Sequence, residues 1–295
     1  MDVGITFTAR AFGPEGAGDV VGDARFAEAL GLESVWVGDH LIPVSGPLLD
    51  SMTVLTTAAA ATERLKIGYG VLILALRPVA WVAKQIATQQ LLTGGRVLLG
   101  VGSGGDVHGD AGWRAVGRDY ARRGALTDAA LAVLPDLIAG HESTVDGETV
   151  RLAPGAEVPP ILVGGGGAAL RRAARYGDAW YPAMSAPARI AADLPRLAEF
   201  ADRFGRPVPE VTVGVSLGLG ALPASAVDRQ VRGLTGYGLS EEDARAAVVT
   251  GTPADAAEVF AELAAIGVSR VVGMPFGGNW RGQAELLAEA ARLVP

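Results

Sequence analysis

Apolar positions along this chain switch repeatedly between a period of two and a period near 3.6, and each switch marks a new element. Val3 to Thr8 alternates around β-formers and reads as a strand. From Asp19 to Leu30, Val20, Ala24, Ala27 and Leu30 recur at helical spacing with Arg25 and Glu28 between them, and Gly31 closes the helix. A second strand, Ser34 to Val37, ends in Gly38-Asp39-His40; a helix from Ser51 to Ala61 follows, with Asp50 or Ser51 as its N-cap. A third strand runs from Lys66 to Val71, on toward Leu74. Pro78 opens a helix that Gly94-Gly95 breaks, and Val97 to Val101 is the fourth strand. The glycine-rich, polar stretch from Gly102 to Tyr120 reads as a long loop or lid. Arg123 to Ala139 is helical, and a two-strand excursion over Glu142 to Leu152 turns at Asp146-Gly147. Pro160 to Val163, Asp178 to Tyr181, Val211 to Leu217 and Arg270 to Val272 complete the strands. Helices reach Tyr176, span Pro187 to Phe204 and Pro253 to Gly267, and close the chain at Gln283 to Leu293; Leu219 to Thr250 is irregular with some helix.

Eight strands, each followed by a helix, predict an α/β fold of the (β/α)₈ TIM-barrel type. No linker rich in proline, serine or charge interrupts the 295 residues, so the expectation is one domain over 1–295. Apolar residues at 49% and charged residues at 19% supply a large core and argue against disorder. A net charge of −7 without a basic stripe argues against nucleic acid as partner. The absence of cysteine excludes thiolate chemistry. The start of the chain lacks the pattern of a signal peptide, and no apolar run is long enough to span a bilayer. The expectation is a cytoplasmic protein with no membrane partner and a small-molecule substrate.

In a TIM barrel the site lies at the C-terminal ends of the strands. That rule selects Thr8, Asp39-His40, Gly70-Val71, Ser103-Gly104, Gly164 to Gly167, Tyr181, Leu217 and Met274. His40 titrates near neutrality when unperturbed, and a neighbouring carboxylate such as Asp39 tunes it. The alternative is a capping aspartate beside a buried histidine. His108 lies in the long loop, within reach of the mouth, whereas His141 reads as surface; three scattered histidines do not make a metal site.

Gly164 to Gly167 follow an apolar strand that ends at Val163 and open a helix at Ala168. Glycines that admit close approach, next to a helix N-terminus, make a phosphate cradle; the alternative is a simple turn. A β-branched residue at Gly165 or Gly166 is expected to block that approach or forbid the φ it needs. Two dinucleotide-like matches, Gly100 to Gly105 and Gly164 to Ala169, lack the following helix pattern or the acidic strand end that a Rossmann site requires. Arg171 and Arg175 share a helix face beyond the run; with Arg172, they are phosphate ligands or a salt-bridged surface. Trp113 and Trp280, on predicted loops, are candidates to line a planar ligand's site, and Trp180 for core or pocket wall.

The stretches Ala27 to His40, Arg77-Pro78 through Ala87-Thr88, Gly94 to Gly104, Pro160 to Gly165, Arg175 to Trp180 and Thr252-Pro253 resemble the luciferase-like monooxygenase family, in particular its deazaflavin (coenzyme F420) branch found in actinobacteria. The resemblance implies a luciferase-like TIM barrel with insertions, an oxidoreductase, and a homodimer. It implies F420 in the barrel mouth, with hydride passing between its C5 and a small, fairly apolar organic substrate. It maps a cis peptide onto Gly70-Val71, with Val71 beneath the ring, and catalytic roles onto His40 and Asp39. Asp39, Gly70, Val71, Ser103, Gly104, Val163 and Gly164 to Gly167 would bind the cofactor. Thr8, His108, Trp113, Tyr181 and Trp280 would line the substrate pocket, with no metal. Sugar dehydrogenases of that branch carry a glutamate where this chain has Gly105 followed by Asp106, which argues against a sugar-phosphate substrate. The alternatives are an FMN-dependent two-component monooxygenase and a non-catalytic flavin-binding relative.

Overall fold

A computed structural model describes residues 1–7, 18–43 and 48–294 of the chain. Among them are the strands β1 (Asp2–Thr6), β2 (Ser34–Val37), β3 (Lys66–Tyr69), β4 (Leu72–Ile73), β5 (Val97–Gly102), β6 (Glu142–Val145), β7 (Glu148–Arg151), β8 (Ile161–Gly164), β9 (Ala179–Tyr181), β10 (Glu210–Leu219), β11 (Val248–Gly251) and β12 (Val268–Pro275). The order β10-β12-β1-β2-β3-β5-β8-β9 is parallel throughout, and pairing of β9 with β10 closes it into an eight-stranded barrel. β4 continues the line of β3 along β5 after a break at Gly70-Val71, whose peptide is cis, as the resemblance implied. β6 and β7 form the two-strand excursion about Asp146-Gly147, both at positive φ, as a tight hairpin turn requires.

Two cores hold the barrel. The larger lies between the strands and the surrounding helices. The smaller fills the barrel itself and is built on Trp36, Leu98, Leu162, Ala179, Tyr181 and Val272. Trp36 and Tyr181 stack there, centroids 5.6 Å apart, and both are fully buried. This pair explains inward glycines on the neighbouring strands. A Cβ at Gly68 would stand 2.2 Å from the Trp36 ring, and one at Gly4 would stand 2.7 Å from its indole nitrogen. The bulk of the indole is accommodated by deleting side chains around it, which keeps the interior at close-packed density.

Three readings of the sequence need correction. The stretch from Gly102 to Tyr120 holds a short helix, Ala111–Ala115, beside two 3₁₀ turns. Five residues are too few for a periodic signal; the helix exists because Trp113 buries itself on Ile73, Ala75 and Leu76. The irregular region from Leu219 to Thr250 holds helices Ala224–Gly236 and Glu241–Ala246 and the unpredicted β11, which pairs with the outer half of a β10 longer than expected. Trp280 is not on a loop: it is the first residue of helix Trp280–Leu293, behind the N-cap Asn279.

Candidate active site

The C-terminal mouth of the barrel gathers several of the selected residues. Val71 fills a seat made by glycines of two adjacent strands. A Cβ at Gly102 would lie 2.6 Å from Val71 Cγ2, one at Gly164 2.8 Å from Cγ1, and one at Gly100 3.2 Å from Cγ1. Of the glycines that at sequence level resemble part of a dinucleotide fingerprint, Gly102 is thus a spacer for Val71, whereas Gly100 makes room chiefly for the Tyr69 carbonyl, 1.9 Å from where its Cβ would stand.

Asp39, at the end of β2, is buried, and its carboxylate is fully engaged. Arg77 binds both oxygens, at 2.6 and 2.8 Å, the Ile73 N–H donates to Oδ2 at 2.9 Å, and the Ser51 hydroxyl donates to Oδ1 at 3.2 Å. Asp39 therefore anchors the ends of β2 and β4, with both carboxylate oxygens taken up by protein donors. Arg77 emerges as a site residue only through these contacts.

His40 follows Asp39 and stacks on His108, ring centroids 3.7 Å apart. Burial first, and the His108 imidazole second, push the His40 pKa down to about 4, against an opposing pull from Asp39. Burial also lowers His108. The Tyr237 hydroxyl lies 3.2 Å from His108 Nε2. His40, His108, Ile73, Leu76, Gly104 and Trp113 line a cavity over this end of the barrel, with the exposed side chains of Leu41 and Ile42 at its rim. His108 and Trp113 both line this cavity, Trp113 as a buried side chain of a helix and not from the loop that the sequence predicted. Tyr237 was missed, since it lies 129 residues from His108 in a segment without periodic pattern.

The glycine run stands at the same end. Gly165 and Gly167 have φ of 109° and 57°, helix Ala168–Tyr176 follows, and nothing lies within 4 Å of a Cβ placed at Gly166 or Gly167. Gly166 itself is not at positive φ, which corrects the expectation that a side chain there is forbidden by backbone conformation. The Trp180 indole donates to the Gly165 carbonyl at 2.7 Å and holds the loop's first turn. An open, glycine-lined helix N-terminus fits a phosphate group.

Other candidates fall elsewhere. Trp280 donates to the Thr6 carbonyl at 3.0 Å and packs on Phe7, so it pins the end of β1. Tyr181 lies within the barrel core, under Gly70, not in the cavity lining. The Val163 side chain is buried in the helix-facing core, leaving only its main chain for a ligand. Ser103 is half-buried directly after β5. Thr8 lies outside the described residues. Arg171 and Arg175 pack over Phe204, and Arg172 pairs with Asp128 at 2.5 Å; these arginines serve the scaffold. Exposed His141 stands 3.3 Å from Asp136. Among the described residues no cluster of three or more metal-ligating side chains occurs.

Residues 1–224 match the sequence profile of the family described as luciferase-like monooxygenase. The chain belongs to that family. Among its luciferase-like relatives, an F420-dependent glucose-6-phosphate dehydrogenase of Beutenbergia cavernae is 31% identical over 74% of this chain and 67% of its own length. Its counterpart from Nocardia farcinica is 30% identical over 72% and 66%. The matched region thus takes in about two thirds of these relatives. Among solved structures, an F420-dependent secondary alcohol dehydrogenase in complex with an F420-acetone adduct superposes with a TM-score of 0.84 over 100% of this chain and 99% of that one, at 18% identity. The oxygenating constituent of 3,6-diketocamphane monooxygenase from Pseudomonas putida, in complex with FMN, gives 0.78 over 100% and 99%, at 16% identity. At these identities the superpositions establish a shared fold.

Proposed function

We propose that this protein is an F420-dependent oxidoreductase acting on a small organic substrate. The observation that carries the reading is the barrel mouth itself: the glycine run Gly164 to Gly167, open at Gly166 and Gly167, and the His40–His108 cavity lie at the same end, with Val71 seated in the strands that join them. Coenzyme F420, when bound, supplies a ring carbon that exchanges hydride, while the protein supplies binding and orientation. Gly165 to Gly167 would hold its phosphate, and Val71 would support the ring. Asp39 would keep His40 in place, and His40 would face the reacting substrate. The names of the curated relatives support F420 over FMN. Gly105, where those relatives' branch carries glutamate, argues for a substrate other than a sugar phosphate.

The test is a parallel fluorescence titration of the purified protein with F420 and FMN. Saturable binding of F420 with weak or no binding of FMN is expected. FMN binding alone would replace this reading with the two-component monooxygenase, and binding of neither would favour a relative without the chemistry.

The protein is further proposed to be a single domain over 1–295, cytoplasmic, and a homodimer. No helix among the described residues is long and apolar enough to cross a membrane. The strands that close the barrel come from Asp2 through Pro275. The dimer reading rests on two adjacent helices. Helix Val79–Thr93 exposes Trp81, Gln85, Thr88, Leu91 and Leu92, and helix Ser51–Ala60 exposes Thr53, Thr57 and Ala60. None of these fully exposed positions is charged; the one charge on the same stripe, half-buried Lys84, donates to the Ala153 carbonyl. On a chain with net charge −7, such a face is the one by which two copies meet without repulsion.

A further inference from the structure

The barrel mouth is too full for the ligands proposed for it. The His108 ring lies against the ring of His40 with centroids 3.7 Å apart, a van der Waals contact that admits no atom between them. The cavity that both rings line has a volume of about 20 Å³, the room of about one water molecule. A flat cofactor ring and a substrate cannot reach His40 until something moves, and the side chain in the way belongs to this chain.

Of the two rings, His40 is the fixed one. It follows Asp39, whose carboxylate is bound by Arg77, the Ser51 hydroxyl and the Ile73 N–H. His108 comes from a single 3₁₀ turn, Asp106–His108, set between Gly105 and Gly109. Nothing lies within 4 Å of a Cβ placed at either glycine, and Gly109 has φ 63°. No residue from Gly105 to Gly109 is buried. Both flanks are packed. A Cβ at Gly104 would stand 3.2 Å from the Trp113 ring, and Trp113 is itself buried on Ile73, Ala75 and Leu76. An unpacked turn therefore hangs between two anchored points, and segments with so few buried contacts open at the low end of a protein's stability range.

The contacts that hold the turn shut are at the surface. Asp106, 84% exposed, accepts from the Tyr120 hydroxyl and from Arg123, the latter at 3.2 Å. His108 Nε2 lies 3.2 Å from the hydroxyl of Tyr237, which is 43% exposed. Tyr237 reaches the mouth from a distant part of the chain. It follows helix Ala224–Gly236, which packs through Val231 and Leu234 on Ala244 and Ala247. Polar contacts between exposed groups are individually weak, so this set can hold a closed state and still release it.

We propose that Gly105 to Gly109 form a plug: His108, caught by Tyr237, closes over His40 and swings out about Gly105 and Gly109 when a ligand enters. The plug rests on the F420 reading above only for what displaces it. It acts as an internal competitor. The apparent affinity for a ligand falls by the fraction of molecules whose mouth is open, and association at high ligand concentration goes no faster than opening.

The first measurement needs no cofactor. The chain has three histidines, so each ring signal in an NMR spectrum is assigned by substitution. A cross-peak between the His40 and His108 rings is expected. So is exchange broadening on the microsecond-to-millisecond scale at both rings and at the amides of 105–109, with a quiet Trp113 indole. Tyr237→Phe, which deletes only the catch, should weaken the cross-peak and increase the broadening. Absence of the cross-peak in the wild type, or a mouth free of exchange in both proteins, overturns the proposal. The second measurement mixes F420 rapidly with the protein and follows its fluorescence. In the wild type the observed rate should level off as F420 is raised. In His108→Ala it should rise linearly, and the apparent affinity should increase by about threefold or more; Tyr237→Phe serves, with a higher plateau, if His108→Ala does not fold. A linear rise in the wild type, or a His40–His108 cross-peak that survives saturation with F420, overturns the plug. If F420 binds none of these proteins, the cofactor reading falls and the first measurement alone decides whether His108 is a plug.

Discussion

Arg77 clasps Asp39 with both ends of its guanidinium, Nη1 to Oδ2 at 2.6 Å and Nη2 to Oδ1 at 2.8 Å. The pair ties the end of β2, which carries His40, to the segment between β4 and helix Val79–Thr93. Asp39 is only 5% exposed. Removing Arg77 leaves a buried carboxylate with two neutral donors, and breaking such a pair costs about 3–5 kcal/mol when burial is complete. Arg77 is partly solvated, so Arg77→Ala should lie near the lower end of that range. Urea denaturation checks it, and a loss within about 0.5 kcal/mol, the scale of an unremarkable surface change, would reduce the pair to a minor contact.

The glycine run separates backbone from space. Gly165 has φ 109°, whereas Gly166 has neither a positive φ nor a neighbour within 4 Å of its Cβ position. Gly165→Val should cost about 1–3 kcal/mol of backbone strain and weaken F420 binding. Gly166→Ala should fold with wild-type stability, while Gly166→Val projects into the cradle and should lower affinity without changing the melting temperature. Calorimetry of folding and titration of F420 distinguish the three. Equal affinity in all of them would make the run a turn.

The seat of Val71 predicts a rescue. In Gly102→Ala the new methyl meets Val71 Cγ2 at 2.6 Å, an overpacking worth about 1–3 kcal/mol. Truncating the neighbour in Gly102→Ala/Val71→Ala should restore part of that loss, so the double-mutant cycle should show favourable coupling. Additive losses in the cycle would mean that the two side chains do not compete for this space.

The exposed neutral side chains of these two helix faces predict where two copies meet. Trp81 is 66% exposed and Leu92 74%. Trp81→Glu/Leu92→Glu should convert a dimer into a folded monomer by sedimentation or light scattering, with unchanged circular dichroism. A wild-type monomer, or a dimer that survives the double substitution, would place the interface elsewhere or remove it.

Much of the architecture was legible along the chain because local periodicity carries it. Helix Arg123–Ala139 and the hairpin turn at Asp146-Gly147 appear where apolar spacing and turn chemistry predict them. The barrel follows from counting strand–helix units, since parallel strands joined by helices have few ways to bury both faces. The same count places His40, Gly70-Val71 and the glycine run at strand ends, and so at the mouth. What the sequence could not decide is everything set by contact across the barrel. Trp280 and Tyr181 looked equally suited to a pocket, yet one is bound to the Thr6 main chain and the other stacks on Trp36. Asp39 looked like a partner for His40, yet Arg77, 38 residues on, takes its oxygens. Tyr237 gave no signal at all. Its place depends on β11 extending the sheet beside β10 and on two short helices packing together. Periodicity reports which face of an element is buried; it is silent on which distant side chain fills that face, because that choice is made only when the strands close.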